Sequence, residues 1–161
     1  MSKTDQSFDP SAHVCAKQRW FEDFAVGERY ILPSRTVTSA HFAAFQMLSG
    51  DNHPIHYDEP FCRARGFGGL LAHGLQTLCF TAAGAGAFPH EVSDSLVAFL
   101  ELSARFLNGV VEGDTLYPAL EIVELRPGRA TGVIVMRATV HNDKRELVLD
   151  GAHTYLVKKR A

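Results

Sequence analysis

The segment from Gly50 to His56 carries the side chains best suited to chemistry. A carboxylate at Asp51 and an imidazole at His56 stand five positions apart. Pro54 lies between them, and it fixes its own φ and restricts the residue before it, so the loop is partly pre-organised. Such a pair can hold one water molecule, take a proton from it and return it, because histidine titrates near neutral pH and a carboxylate can orient it.

The same residues also fit a purely structural role. Asp51 would then bridge turn amides, and His56 would be a hydrogen-bonded structural histidine. The spacing alone slightly favours this structural role. His53 and His56 also form an HxxH pattern, which is weak as a metal site on a loop without a supporting cysteine, so no metal is predicted. His53 is predicted to line the loop or to face solvent.

A second candidate element is the pair His73-Gly74, at the start of a helix predicted from Gly74 to about Ala87. The first N–H groups of a helix have no partner within the helix, and no Ser, Thr, Asp or Asn immediately precedes this one. Because Gly74 has no side chain, its amide is a ready donor for a ligand oxygen, helped by the helix dipole. An equally good interpretation of Gly74 is structural: it caps the helix itself, or it is needed only for close packing.

The remaining pattern predicts the elements that position these residues. A strand is expected within 28–38, a helix from Thr38 or Ser39 to Gly50, and a short helix from Asp58 to about residue 65. Even positions from 96 to 106 are apolar, which predicts a half-buried strand. Three more strands with short turns follow, so these four strands are expected to form an antiparallel meander. The helix after Gly74 is apolar on nearly all sides and is therefore expected to be buried.

These elements predict an α+β domain in which a curved antiparallel sheet wraps around the buried helix. The length of 161 residues suits one domain, here 19–161, preceded by a flexible polar arm over 1–18. The exposed edge or face of such a sheet needs covering, which predicts a homodimer.

The composition favours an ordinary globular protein. With 46% hydrophobic residues and a net charge of −2, it gives no reason to expect nucleic acid or a membrane surface as a partner. The three scattered cysteines form no CxxC pair, which argues against a disulfide framework or a zinc ribbon. The first 17 residues have no apolar stretch typical of a signal peptide, and a cytoplasmic location is the expectation.

The two motif blocks resemble the MaoC-like dehydratase and (R)-specific enoyl-CoA hydratase family. That family has a Gly-Asp-x-Asn-Pro-aliphatic-His block, matched here by 50–56, and a later His-Gly that opens a central helix, matched by His73-Gly74. The resemblance extends over about 19–157. Two positions depart from the family pattern: His53 stands where Asn is common, and Ala82 stands where the bacterial hydratases can have Ser.

The resemblance implies a hot-dog fold, an antiparallel sheet wrapped around a long central α-helix, assembled as a homodimer or a dimer of dimers. It implies that Asp51 and His56 activate one water, which adds across a trans-2-enoyl-CoA in fatty acid metabolism. The N–H of Gly74 would bind the thioester carbonyl, with His73 and His53 as further substrate-binding positions. No metal or organic cofactor is implied, because the thioester already acidifies C2 of the substrate, and coenzyme A is part of that substrate.

Two other functions stay open at this point. A thioesterase of the same architecture would use a carboxylate to direct water at the carbonyl carbon. A non-catalytic acyl-CoA-binding module would bind the ligand without turnover. The Asp51–His56 pair argues against the binding module, because binding alone does not need a paired acid and base.

Overall fold

A computed structural model of the chain describes residues 5–160. Its main feature is one antiparallel sheet in which the strands are ordered β1-β4-β5-β6-β3. The short strand β2 also pairs with β4, next to the segment of β4 that pairs with β1. The strand bounds are as follows: β1 (Arg29–Ile31), β2 (Arg35–Thr36), β3 (Leu96–Phe106), β4 (Thr115–Pro127), β5 (Thr131–Asn142) and β6 (Leu147–Lys158). The expected antiparallel sheet is therefore confirmed.

The strand connections differ from the expected meander in one respect. β4, β5 and β6 are consecutive hairpin neighbours, but β3 pairs with β6 instead of with β4. One strand is expected within 28–38, and the structure has two short strands there, β1 and β2. The chain leaves the sheet between them, at the segment that contains Pro33, because proline has no N–H to donate to a neighbouring strand.

Among residues 5–160, four short α-helices precede β3: α1 (Ser39–Ser49), α2 (Glu59–Ala64), α3 (Gly74–Cys79) and α4 (Phe88–Glu91). The ends of α1 and α2 agree with the sequence. Thr38 caps α1, and Gly50 ends it in the left-handed region at φ 71°. The Asp58 carboxylate caps α2 by accepting the Phe61 N–H at 2.9 Å.

The expected helix over 74–87 is wrong in length, because α3 ends at Cys79. Its burial also differs: Leu75 is 62% exposed, whereas Gln76 and Thr77 are buried. Beyond α3 the chain makes a 3-10 turn at Ala83–Ala85 before α4 begins. Two glycines in this segment disfavour a continuous helix, since each costs about 1 kcal/mol relative to alanine.

Strand β3 is far more exposed than its alternating pattern predicts. Apolar side chains on both of its faces are 39–52% exposed, among them Leu96, Phe99, Leu100 and Phe106. The strand lies at the end of the sheet with β6 as its one neighbour among the described residues. Its alternation therefore does not correspond to burial within this chain.

The core has two parts, which lie at opposite ends of the long strands β4, β5 and β6. The part that supports the loop after α1 packs against Tyr57, Leu70 and Ala72, and its buried members are Val37, Phe42, Phe80, Val110, Leu116, Val140, Val148 and Leu149. Only part of the predicted arm 1–18 lies within the described residues, and there a 3-10 turn spans Pro10–Ala12. Within 5–160, no helix is long and apolar enough to cross a membrane.

Candidate active site

The loop between α1 and α2 is shaped by its own hydrogen bonds. The Asp51 carboxylate accepts the His53 N–H at 3.1 Å, and the His53 Nδ1 accepts the Ile55 N–H at 3.3 Å. Pro54–His56 then forms a 3-10 turn. His53 thus caps this turn through its ring, and the motif residues 51–56 are held as one structured unit.

His56 is fixed by a distant part of the chain. Its Nδ1 lies 2.6 Å from the carbonyl oxygen of Leu71, and the Leu71 N–H donates to the Ile55 carbonyl at 3.1 Å. Because a carbonyl oxygen can only accept, Nδ1 carries the proton. In the neutral ring the lone pair is therefore on Nε2, which is the nitrogen able to take a proton.

His73 joins Asp51 and His56 in one cluster. One nitrogen or oxygen atom from each of the three side chains lies within 4.8 Å of those from the other two. His73 is 3% exposed, its ring stacks on that of His56, and its Nε2 lies 3.9 Å from the Asp51 carboxylate. The structure thus brings together three of the five site residues that the sequence predicts, with His73 lying beneath the other two.

The cluster holds both candidate catalytic groups as proton acceptors. The His53 N–H lowers the pKa of Asp51 below its ordinary value, and the neighbouring imidazoles lower it further. Burial lowers the pKa of His56 below its ordinary value of 6.5, and His73 adds to this effect, while the hydrogen bond to Leu71 opposes it. Near neutral pH Asp51 is therefore ionised and His56 is neutral.

Two side chains that hold His73 have no role in the sequence analysis. The Tyr57 hydroxyl lies 3.2 Å from His73 Nε2, and the Gln76 Oε1 lies 3.1 Å from His73 Nδ1. Tyr57 directly follows the first motif block. Gln76 lies one turn after His73, and it and Thr77 are the two polar residues of the otherwise apolar α3. That break in the pattern is the signal that could have identified Gln76.

Gly74 begins α3 directly after His73. No side chain caps this helix, and within the described part of the chain the Gly74 N–H has no hydrogen-bond partner. Gly74 and Phe106 lie on the wall of a cavity of about 390 Å³. A Cβ added at Gly74 would lie 3.1 Å from the Phe106 ring, so a side chain at this position would crowd that ring.

Asp51, His56 and His73 are also the described residues that could hold a metal ion. Their arrangement fits a metal poorly, because the rings of His56 and His73 are stacked within 22° of parallel. Ring nitrogens bind metals in the ring plane, and two stacked planes do not converge on one ion. The HxxH pattern does not form a pair of ligands either, since the group of described residues that could share an ion includes His56 but not His53.

Comparison with known proteins identifies the family of the chain. The family model described as a MaoC like domain matches residues 23–144. The chain is 30% identical over 141 residues to the 3-hydroxybutyryl-CoA dehydratase of Methylorubrum extorquens, and this match covers 88% of the chain and 85% of that relative.

Solved structures show the same fold. The monoamine oxidase regulatory protein from Archaeoglobus fulgius has a TM-score of 0.84 at 29% identity, over 92% of this chain and 99% of that one. A conserved hypothetical protein of Mycobacterium tuberculosis, described as a double hotdog fold, has a TM-score of 0.74 at 30% identity, over 89% of this chain and 45% of that one. The chain therefore belongs to the MaoC-like dehydratase family and has the hot-dog fold.

Proposed function

We propose that this protein catalyses the reversible hydration of a trans-2-enoyl-CoA to an (R)-3-hydroxyacyl-CoA. The observation that carries the proposal is the cluster of Asp51, His56 and His73, in which an ionised carboxylate and an imidazole with a free Nε2 lie within 4.8 Å. Membership of a hydratase and dehydratase family supports hydro-lyase chemistry in general. The (R) product follows from the resemblance of the motif blocks.

In the hydration direction, Asp51 and His56 hold one water between them. The His56 Nε2 takes a proton as the water oxygen bonds to C3 of the enoyl thioester, and the π electrons move toward the thioester carbonyl. The Gly74 N–H stabilises the resulting enolate oxygen, a contribution of about 3 kcal/mol in a water-excluded site. The proton on His56 then passes to C2, so that water has been added and the enzyme is unchanged.

In this mechanism the substrate itself supplies the electron sink. The thioester acidifies C2, so the reaction needs no metal or organic cofactor, and the coenzyme A portion serves for binding. His73 acts by holding the His56 ring, because it is buried and stacked against that ring. His53 shapes the loop through its bond to the Ile55 N–H.

We also propose that the protein is a homodimer, or a dimer of dimers, that pairs along β3. Six of the eleven side chains of this end strand are large, apolar and 39–52% exposed. A long apolar strand at a sheet edge is a surface that proteins cover. A cytoplasmic location and a role in fatty acid metabolism stay predictions.

The test is hydration of enoyl-CoA thioesters by the purified protein, followed as loss of the conjugated thioester absorbance. We expect Asp51→Asn and His56→Ala each to abolish turnover. Asp94→Asn and His90→Ala are matched controls, because both side chains are exposed and lie outside the cluster. Full activity in both cluster variants would contradict the assigned roles.

A thiol-release assay on the same substrates separates the alternatives. Hydration leaves the thioester intact, so we expect no free coenzyme A. Release of thiol without a change at the double bond would indicate a thioesterase. Binding of acyl-CoA without turnover of any enoyl-CoA would indicate a binding module.

A further inference from the structure

Gln76 is a buried polar side chain with one satisfied and one unsatisfied end. The residue is 3% exposed, and its Oε1 lies 3.1 Å from the His73 Nδ1. Its Nε2 is the one buried side-chain nitrogen or oxygen within 5–160 that has no hydrogen-bond partner. Leaving a buried N–H unpaired reduces stability, so such groups are rare in folded proteins and need an explanation. Here the explanation has to come from the single hydrogen bond that the side chain makes, which is to His73.

The hydrogen bond to Gln76 determines which nitrogen of His73 carries a proton. An amide oxygen can only accept, so Nδ1 is the protonated nitrogen, and in the neutral ring Nε2 keeps its lone pair. The Tyr57 hydroxyl, 3.2 Å from Nε2, is then the donor in that contact. The ring is held in this orientation because it is buried and packed against the rings of His56 and Phe45, whose centroids are 3.6 and 4.7 Å away.

The Nε2 of His73 faces Asp51. It lies 3.9 Å from the carboxylate Oδ2 and 3.4 Å from the main-chain carbonyl oxygen of Asp51. The other carboxylate oxygen, Oδ1, accepts the His53 N–H, so Oδ2 is the oxygen left to hold a water. A proton on Nε2 would make the ring a donor toward Asp51, and a hydrogen bond to the ionised carboxylate would compete with that water. An unprotonated Nε2 leaves the carboxylate free.

We propose that Gln76 is a positioning residue, which keeps the proton of His73 on Nδ1 and so leaves Asp51 free to hold the reacting water. This inference rests on the proposed hydratase function and adds to it a residue that acts only through His73. The unpaired amide N–H is then the stability lost by placing an acceptor oxygen at Nδ1. A glutamate would not serve equally well, because a carboxylate at the same place favours a proton on both ring nitrogens.

Nitrogen NMR of the ¹⁵N-labelled protein tests the position of the proton directly. Ring nitrogens with and without a proton differ in chemical shift, and the His73 signals are identified by their loss in His73→Asn. For the wild type we expect a protonated Nδ1 and an unprotonated Nε2. In Gln76→Met, which keeps the length of the side chain without its oxygen, the proton should move to Nε2, where the Asp51 oxygens accept it. In Gln76→Glu both nitrogens should carry a proton.

Hydration of crotonyl-CoA and trans-2-octenoyl-CoA tests the consequence for the reaction. We expect kcat to fall about tenfold or more in both variants while KM changes less than about twofold, because the substrate contacts remain and only the water is poorly held. Methionine also removes the unpaired N–H, so the urea midpoint of Gln76→Met should equal or exceed that of the wild type. Gln18→Met is the matched control, since Gln18 bonds His90 and Asp94 outside the cluster, and it should leave kcat and the His73 proton unchanged.

The outcomes separate this inference from the function on which it rests. Wild-type turnover with a proton found on the Nε2 of His73 overturns the inference and leaves the hydratase function standing. The same holds if Gln76→Met keeps full turnover, or loses turnover while its proton stays on Nδ1. A lower urea midpoint for Gln76→Met would show that the amide serves stability, which also overturns the inference. A wild type that hydrates neither thioester overturns the proposed function and this inference with it.

Discussion

The imidazole rings of His56 and His73 stack with their centroids 3.6 Å apart and their planes 22° from parallel. Two imidazolium ions at this separation would repel each other, so the pair disfavours protonation of His56. The stack also places the reactive ring of a surface loop on a buried support, because His73 is 3% exposed while Asp51 beside it is about half exposed. This arrangement has consequences that can be measured.

The acid limb of the pH profile should lie below 6.5. Burial, assisted by His73, lowers the pKa of His56 from its ordinary value of 6.5, and the neutral ring is the base for hydration. Activity is then retained above that lowered pKa and lost as the pH falls through it. The measurement is kcat/KM for hydration against pH. A limb at or above 6.5 would show that another group is limiting.

Tyr57→Phe should reduce both stability and activity. The change removes the hydroxyl 3.2 Å from His73 Nε2, which leaves a buried ring nitrogen without this partner and costs about 1–3 kcal/mol of unfolding free energy. Urea unfolding and hydration kinetics measure the two effects. Tyr117→Phe is the control, since Tyr117 is 48% exposed on β4. Equal behaviour of the two variants would argue against a supporting role for Tyr57.

Gly74→Ala should reduce activity. The added methyl would lie 3.1–3.3 Å from the Phe106 ring and beside the amide assigned to the thioester oxygen. The ring must shift by a few tenths of an ångström to admit the methyl group, so the unfolding free energy is measured alongside the kinetics. We expect kcat/KM to fall about 10- to 100-fold. Gly68→Ala is the control, because a Cβ there meets nothing within 4 Å.

Stability should fall between pH 7 and pH 5 because of a histidine outside the site. Burial lowers the pKa of His153 to about 4, and the neutral ring bonds Thr81 and Tyr155. A group with a lowered folded pKa stabilises fully above its unfolded value of 6.5 and progressively less as the pH drops toward 4. The loss in unfolding free energy from this group amounts to about 2 kcal/mol at pH 5.

Urea unfolding at the two pH values tests this prediction. In His153→Gln the difference between pH 7 and pH 5 should shrink, because glutamine does not titrate. An unchanged difference in this variant would assign the pH dependence to other groups.

Leu100→Glu should dissociate the proposed dimer. Leu100 is 52% exposed on the end strand β3, and a charge there would be buried in an interface between copies. Light scattering after size-exclusion chromatography should give the mass of a dimer or tetramer for the wild type and of a monomer for the variant. Val123→Glu is the control, since Val123 is 43% exposed on β4. A monomeric wild type would contradict the proposal.

Much of the local structure around the site can be predicted from the sequence, because its signals act over a few residues. Gly50 and Asp58 end and begin their helices where the pattern places them. Asp51 and His56 are close because the loop between them is short and constrained by Pro54. The antiparallel strands follow from alternation and turn residues, which are also short-range signals.

How segments that are distant in the sequence meet is determined only by the tertiary structure. The bond from Leu71 to Ile55 brings the second motif block to the first, so that His73 lies under His56, and no local pattern encodes that stack. The pairing of β3 with β6 joins strands separated by forty residues, and it leaves β3 at the sheet edge with its apolar side chains exposed. Likewise, Gln76 is buried because α3 packs its polar face inward, an orientation set by the neighbouring elements and invisible in the period of the helix itself.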